Sequence, residues 1–353
     1  MNYEVRVIED KELFSKTAKV IFDSREDSED RKIWLETRTN SIGGSEIGMI
    51  AGISDYGSAL TVFNDKLGLS KKFNGNSHTV YGNRMEPIIR YYIQEDFQKD
   101  TGIKLTTYEY PFMMIDKEIP YLSANIDGLA KTDEDYVYWE NRDTGEIKYI
   151  PKDKYIGIEI KTAGEFLKKM WEGDEIPGTY LAQIYHYMGI TGLDYFLIIY
   201  QMGKEFKWKV IPRNDDDIKA LREIGKDFWE NHIITKIPPD PTGNKKETEQ
   251  INEQQTLNDD TEINISENKL SEYKTLSDEI KEMQQKQEQL KQEIFLEMGN
   301  SKKGTDGDFK ISRFEVKKDS LDNKLLKDKY PQTYAAVLKG QTQFVNMRLT
   351  KCK

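Results

Sequence analysis

The run Tyr155-Ile156-Gly157-Ile158-Glu159-Ile160-Lys161 constrains this chain more than any other. Its apolar density and branched residues read as a strand. Alternate side chains of a strand point to opposite faces, so Glu159 and Lys161 emerge together while Ile158 and Ile160 pack behind. An E-x-K triplet alone more often marks solvated edge charges joined by one salt bridge. A second carboxylate changes the reading. Asp127 closes Tyr121-Leu122-Ser123-Ala124-Asn125-Ile126 and precedes a glycine turn. If it lies beside Glu159 and Lys161 on a neighbouring strand, two carboxylates and one ammonium share a small volume. Hard oxygen ligands of this kind suit Mg²⁺, and the set suits charge on a reacting phosphate.

At 353 residues the chain is long enough for one large or two smaller domains. With 37% hydrophobic and 32% charged residues it is more polar than an average globular domain. No run of about 18 apolar residues occurs, so no membrane span is expected. The opening Met1-Asn2-Tyr3-Glu4-Val5-Arg6 shows no signal-peptide pattern, and a cytoplasmic location is expected. The sole cysteine, Cys352, excludes an intramolecular disulfide framework and a cysteine-held zinc or iron–sulfur site. A net charge of −10 argues against nucleic acid only until its distribution is read. Residues 241–300 hold 7 Lys+Arg against 14 Asp+Glu, whereas residues 301–353 hold 13 against 6. The acidity is concentrated in one segment, and the basic tail after it is compatible with phosphate contact.

Arg31 to Thr39 reads as a polar helix, Ile42-Gly43-Gly44-Ser45 as a turn, and Glu46 to Ile50 as the start of the next element. Helices are expected over Ala59 to Leu67 and from about Arg84 to Lys99, with Pro87 in the latter's first turn, where proline is tolerated. Strands follow at Thr106 to Ile115, Tyr121 to Ala130, Tyr136 to Glu140, Ile147 to Pro151 and Tyr155 to Thr162, with Asp143-Thr144-Gly145-Glu146 as a hairpin turn. A helix over Thr179 to Ile190, strands Tyr195 to Met202 and Phe206 to Ile211, and a helix over Asp215 to His232 complete a core of residues 1–240. Residues 241–264 read as a polar linker. Tyr273, Leu276, Ile280, Met283, Gln287, Leu290 and Ile294 step by three and four, giving a helical arm over residues 265–299. Residues 300–353 form a basic extension, with strands at Phe309 to Val316 and Phe344 to Leu349 around a helix from Asp319 to Leu326.

Several further residues are candidates. Unpaired N–H groups and Ser45 at a helix start form an anion pocket, to which Arg38 could add a bidentate contact. The plainer reading is a serine cap and a surface arginine. G-x-S-x-G is excluded because Ile47 stands where the second glycine belongs. Glu86 suits a helix start by its charge, and against the strands it becomes a third acidic group. Gln183 has Tyr180 and Tyr187 one turn to either side. His78, His186 and His232 lack metal-ligand spacing and read as structural, and Trp34, Trp171, Trp208 and Trp229 as core or partly exposed anchors.

The order of these signals says more than any one of them. Arg38, Ile42-Gly43-Gly44-Ser45, Gly82-x-x-x-Glu86, Asp127-Gly128, Glu159-x-Lys161 and Tyr180-x-x-Gln183 together resemble the lambda exonuclease/YqaJ-type phage recombination nucleases, of the restriction-endonuclease-like D…ExK superfamily. The likeness runs from about residue 31 to 212. It implies an α/β (α+β) fold: a mixed central sheet flanked by helices, followed by the helical arm and a small α/β extension. It also implies that Asp127, Glu159 and the carbonyl of Ile160 hold Mg²⁺, with Mn²⁺ as substitute. Lys161 would orient or deprotonate the attacking water, Glu86 would assist, and Arg38, Ser45, Asn125 and Gln183 would hold a 5′ phosphate. Many relatives have serine-proline where this chain has Asn125-Ile126, and Asp116 stands eleven residues before Asp127 where some relatives place a further carboxylate about ten before. The implied activity is digestion of one strand from double-stranded DNA ends, 5′ to 3′, with a homo-oligomer around DNA and a single-strand annealing recombinase as partner. An endonuclease on the same fold, or a non-catalytic DNA-binding or assembly protein, is the alternative.

Overall fold

The structure is a computed structural model that describes residues 5–25, 37–70, 77–141, 146–163, 176–202, 205–254, 261–266, 268–317 and 322–337. It divides into two compact units, residues 1–255 and 256–353.

The first unit is built on a five-stranded mixed sheet in the order β10-β9-β8-β5-β2. These strands are β2 (Leu105–Tyr108), β5 (Gly128–Thr132), β8 (Ile156–Ala163), β9 (Tyr195–Met202) and β10 (Glu205–Pro212). β8 and β9 run parallel, and the other pairs are antiparallel. Parallel neighbours need a crossover, here the helix Gly178–Thr191. A three-stranded sheet stands beside it in the order β1-β3-β4: β1 (Ala18–Asp23), β3 (Phe112–Asp116) and β4 (Ser123–Ala124). β6 (Tyr136–Asn141) and β7 (Glu146–Ile150) form a hairpin, whose expected turn lies mostly outside the described residues.

The helices are α1 (Gly44–Ile50), α2 (Ala59–Lys66), α3 (Ser77–Thr101), α4 (Gly178–Thr191), α5 (Asp215–Phe228) and α6 (Lys245–Gln254). α3 and α4 cover opposite faces of the large sheet, and the alternation of β8 and β9 decides which side chain meets which. Ile158, Ile160, Leu197 and Ile199 share a core with Ile89, Ile93 and Phe97 of α3. Phe196, Ile198 and Tyr200 pack instead with Ala182, Ile184, Tyr187 and Met188 of α4. In the parallel register Glu159 lies opposite Ile198 and Lys161 opposite Tyr200. Both charged residues therefore belong to the α4 face.

Two expected strands are each divided. Thr106 to Ile115 becomes β2 and β3 in different sheets, because Pro111 between them has no N–H to donate to a ladder. Tyr121 to Ala130 becomes β4 and β5, with Asp127 in the gap between the sheets rather than on a strand. Gly128 permits that crossing: its φ is +156°, and a Cβ there would stand 2.6 Å from the carbonyl of Tyr108. β1 carries no sequence expectation, and its pairing with β3 is wholly non-local. Pro87 lies well inside α3, which begins at Ser77, so the helix loses the bond to the Asn83 carbonyl there.

The stretch expected as a linker, 241–264, also differs. Its residues 245–254 form α6, whose Glu247 is buried, and Thr61 donates to Gln250 at 3.1 Å. The polar composition hid this because the helix docks through hydrogen bonds as well as through Ile251. α5 continues as a π turn, Trp229–Ile233, and Trp229 stacks on Tyr121 with centroids 5.2 Å apart.

In the second unit, α7 (Lys269–Met298) carries the heptad seam, and Tyr273, Leu276, Ile280, Met283 and Leu290 are all exposed. Its last turn meets a short hairpin, β11 (Lys303–Thr305) with β12 (Lys310–Ser312), where Met298 lies against Gly304. That hairpin stands where one strand, Phe309 to Val316, was expected. α8 (Asn323–Lys329), capped by Asp322, and α9 (Pro331–Val337) follow. The expected strand Phe344 to Leu349 and the tryptophans Trp34 and Trp171 lie outside the described residues. No helix among the described residues is long and apolar enough to cross a membrane.

His186 of α4 is buried, with Nε2 2.9 Å from the carbonyl of Ser123. Burial pulls its pKa down from 6.5 to about 4. The unfolded chain takes up a proton below pH 6.5 and the folded chain only near 4, so this contribution to stability is complete above 6.5 and lost as pH falls between those values. The stability gap between wild type and His186→Gln should therefore narrow from pH 7 to pH 4, by on the order of 3 kcal/mol, in chemical unfolding. A gap constant across that range would contradict a neutral buried imidazole.

Candidate active site

β8 is the middle strand of the five, and Glu159 at its centre is 1% exposed. One carboxylate oxygen meets the Lys161 ammonium at 2.6 Å, and the other, Oε2, has no hydrogen-bond partner among the described residues. Asp127 reaches the same place from the gap between the sheets. The β5–β8 ladder ends at Gly128 opposite Ile158, and one step beyond it Asp127 Oδ2 accepts from the Ile160 N–H at 2.7 Å. The side chain thus replaces a backbone carbonyl on the ladder and leaves its second oxygen available.

Lys161 is held from three sides. Besides Glu159 it donates to Gln183 Oε1 at 2.8 Å, and its ammonium lies 4.8 Å from the centre of the Tyr180 ring. Gln183 Nε2 donates in turn to the Tyr187 hydroxyl at 3.1 Å. The α4 residues noted beside Lys161 in sequence thus form one chain of contacts with it.

Glu86 joins from α3. Arg90, one turn on, donates to it at 2.8 Å and lies 3.7 Å from Glu109. Burial, with Asp127 next, pushes the Glu86 carboxyl up to about 8. Burial, again with Asp127 next, pushes Glu159 to about 8. Asp127 is raised as well, since burial outweighs the Lys161 ammonium and the Ile160 N–H. Three acids all raised from their ordinary values, one of them with a buried oxygen that has no hydrogen-bond partner among the described residues, form a set short of positive charge. A divalent cation would suit that shortage, and the Asp127 and Glu159 carboxylates, with the Ile160 carbonyl, are the groups that could hold it. Among the described residues, no three His, Cys, Asp or Glu groups are placed so that they could hold a metal ion by themselves.

The expected anion pocket is only partly assembled. Gly43, not Ser45, is the cap of α1, and its N–H donates to Glu46 Oε2 at 2.8 Å. The turn therefore satisfies its own first donor with its own glutamate. Ser45 is exposed beside Gly44, and Asn125 is exposed two residues before Asp127. Arg38 is exposed, and its charge bears on the Tyr187 hydroxyl and on Lys66. Asp116 is drawn elsewhere: Arg222 binds it, and it caps the N–H groups of Glu118 and Ile119. His232 meets the carbonyl of Ile237 at 2.9 Å, while the side chain of His78 lies outside the described residues.

Residues 33–194 match the profile of the YqaJ-like viral recombinase domain. Arg38, Ser45, Glu86, Asn125, Asp127, Glu159, Lys161 and Gln183 all fall inside the match. The uncharacterized protein YqaJ of Bacillus subtilis is 26% identical over 341 residues, covering 94% of this chain and 97% of that protein. An alkaline exonuclease from Laribacter hongkongensis overlaps 57% of this chain and 91% of its own at 16% identity and a TM-score of 0.40. A phage related exonuclease from Haemophilus somnus overlaps 58% and 100% at 14% identity and a TM-score of 0.32.

Residues that sequence reasoning missed are Arg90, Glu46 and Lys66; of these only the i,i+4 pair Glu86/Arg90 left a readable signal. The role of Gly44 is also clearer. A Cβ on it would stand 2.5 Å from the Tyr187 ring and 2.9 Å from Gln183 Cγ. This glycine lets α1 rest directly on the part of α4 that holds Lys161. Gly44→Ala should cost about 1–3 kcal/mol of stability through overpacking, and shift Gln183 away from Lys161. Thermal unfolding and a structure of the variant check this; an unshifted Gln183 at full stability would refute it.

Proposed function

We propose that this chain is a Mg²⁺-dependent deoxyribonuclease that hydrolyses double-stranded DNA from its ends, 5′ to 3′, leaving single-stranded tails for homologous recombination. The observation that carries the reading is the set Asp127, Glu159 and Lys161, gathered about a buried Glu159 whose Oε2 has no hydrogen-bond partner among the described residues. The similarity of residues 33–194, which span that set, to the YqaJ-like viral recombinase domain supports the recombination context.

Asp127, Glu159 and the Ile160 carbonyl would hold Mg²⁺, or Mn²⁺ in its place. When bound, the cation supplies Lewis-acid polarisation and neutralises charge at the scissile phosphate. The protein's own groups do the rest. Gln183 and the Tyr180 ring fix the Lys161 ammonium, which orients the attacking water and offsets charge on the phosphate. Arg90 orients Glu86 at the edge of the acidic set, where its carboxyl can hold or release a proton. Arg38, Ser45, Asn125 and Gln183 would receive the 5′ phosphate, so that cutting starts from an end. A homo-oligomer around DNA and a single-strand annealing recombinase as partner belong to the same proposal.

Linear and covalently closed circular DNA, each with Mg²⁺ or EDTA, separate the readings. Loss of linear DNA alone, and only with Mg²⁺, is expected; cut circles would mean an endonuclease, and no cutting a binding protein. Lys161→Ala should abolish cleavage and leave DNA binding largely intact, and equal activity in the variant would refute the assignment.

A further inference from the structure

Lys66 closes α2, and its side chain is 2% exposed. Its ammonium donates to the carbonyl of Arg38 at 2.5 Å and to Glu46 at 2.7 and 2.8 Å. All three of its donors are therefore used, on two separate pieces of chain. Glu46 passes the constraint on, because the oxygen 2.8 Å from Lys66 also accepts the N–H of Gly43. Gly44 then rests on Gln183 and Tyr187. From Lys66, one branch ends at the backbone of Arg38 and the other at Gln183.

We infer that Lys66 is a positioning residue for recognition of the DNA 5′ end, clamping Arg38 and the Gly43–Glu46 turn in place against Gln183. The inference rests on the proposed role of Arg38 and Gln183 in holding the terminal phosphate. An apolar residue would join α1 to α2 without desolvating an ammonium, and buried ion pairs are generally no more stabilising than such a substitution. What an apolar residue lacks is directed bonds to Arg38 and Glu46 at once. Burial of Lys66 and the nearby Arg38 charge both disfavour its protonated form, and Glu46 counters them. The Lys66 charge is thus matched by Glu46 inside the protein, and what the clamp fixes is the backbone of Arg38, whose side chain is the exposed cation of the pair.

The test compares wild type, Lys66→Met, Lys66→Arg and Arg38→Ala on duplexes carrying a 5′ phosphate or a 5′ hydroxyl at one end. Wild type should prefer the phosphate. In Lys66→Met, KM for phosphorylated ends should rise about tenfold or more, with a clearly smaller fall in kcat at saturating DNA transmitted through Gln183, since misplacement of binding groups acts on binding first. Lys66→Arg should restore part of the preference, and adding Lys66→Met to Arg38→Ala should cause no further loss of it. If Lys66→Met does not fold, Glu46→Gln, which keeps an acceptor for Gly43 and removes the charge facing Lys66, should lower the preference in part. Wild-type preference in Lys66→Met or Glu46→Gln, even with a lowered melting temperature, would reduce Lys66 to a structural residue. No preference in wild type would instead remove the end-binding role of Arg38, and the inference with it.

Discussion

The structure turns on a carboxylate where a core strand would otherwise hold a hydrophobe. Glu159 shares its face with Phe196 and Ile198 on the neighbouring strand and is almost wholly sealed from water. An isolated buried charge is too costly to keep. Lys161 offsets part of that cost on one oxygen only. Asp127 and Glu86 make matters worse by repulsion, and together the three drift toward their protonated forms. On the proposed reading a divalent cation resolves the conflict by offsetting the clustered carboxylate charge.

Asp127 contributes from outside the strands. Gly128 lets the chain cross from the small sheet to the large one with Asp127 at the crossing, where its carboxylate takes the Ile160 N–H that the ladder leaves over. The α4 face then supplies the counterpart. Gln183 and Tyr180 steady Lys161, Tyr187 steadies Gln183, and Gly44 brings α1 against that row. One helix face thereby serves both the proposed chemistry and the proposed grip on the DNA end.

How much of this could be read from the sequence depends on distance along the chain. Glu159 and Lys161 were legible because strand alternation is a local rule, and the i,i+3 and i,i+4 steps among Tyr180, Gln183 and Tyr187 are equally local. The placement of Asp127 near them was legible only as a condition. Pro111 and Gly128 divide what composition presents as two long strands, and whether such residues end a strand or bend it is settled by the partner strands. Lys66 and Glu46 are twenty residues apart on different helices, and nothing in either segment marks them as a pair. α6 was obscured because a polar, acidic stretch looks solvated until Glu247 is seen buried against Thr242. The anion pocket was legible in its residue types but not in its bonding, since Glu46 captures the donor that the glycine turn offered.

The most direct test of the central claim is calorimetric titration of Mn²⁺ into the DNA-free protein, in wild type, Asp127→Asn and Glu159→Gln, with thermal unfolding to show that each variant is folded. The account predicts saturable binding in wild type, accompanied by a rise in melting temperature, and loss of both in either folded variant. Binding of equal strength in all three proteins, or no binding in wild type, would contradict it.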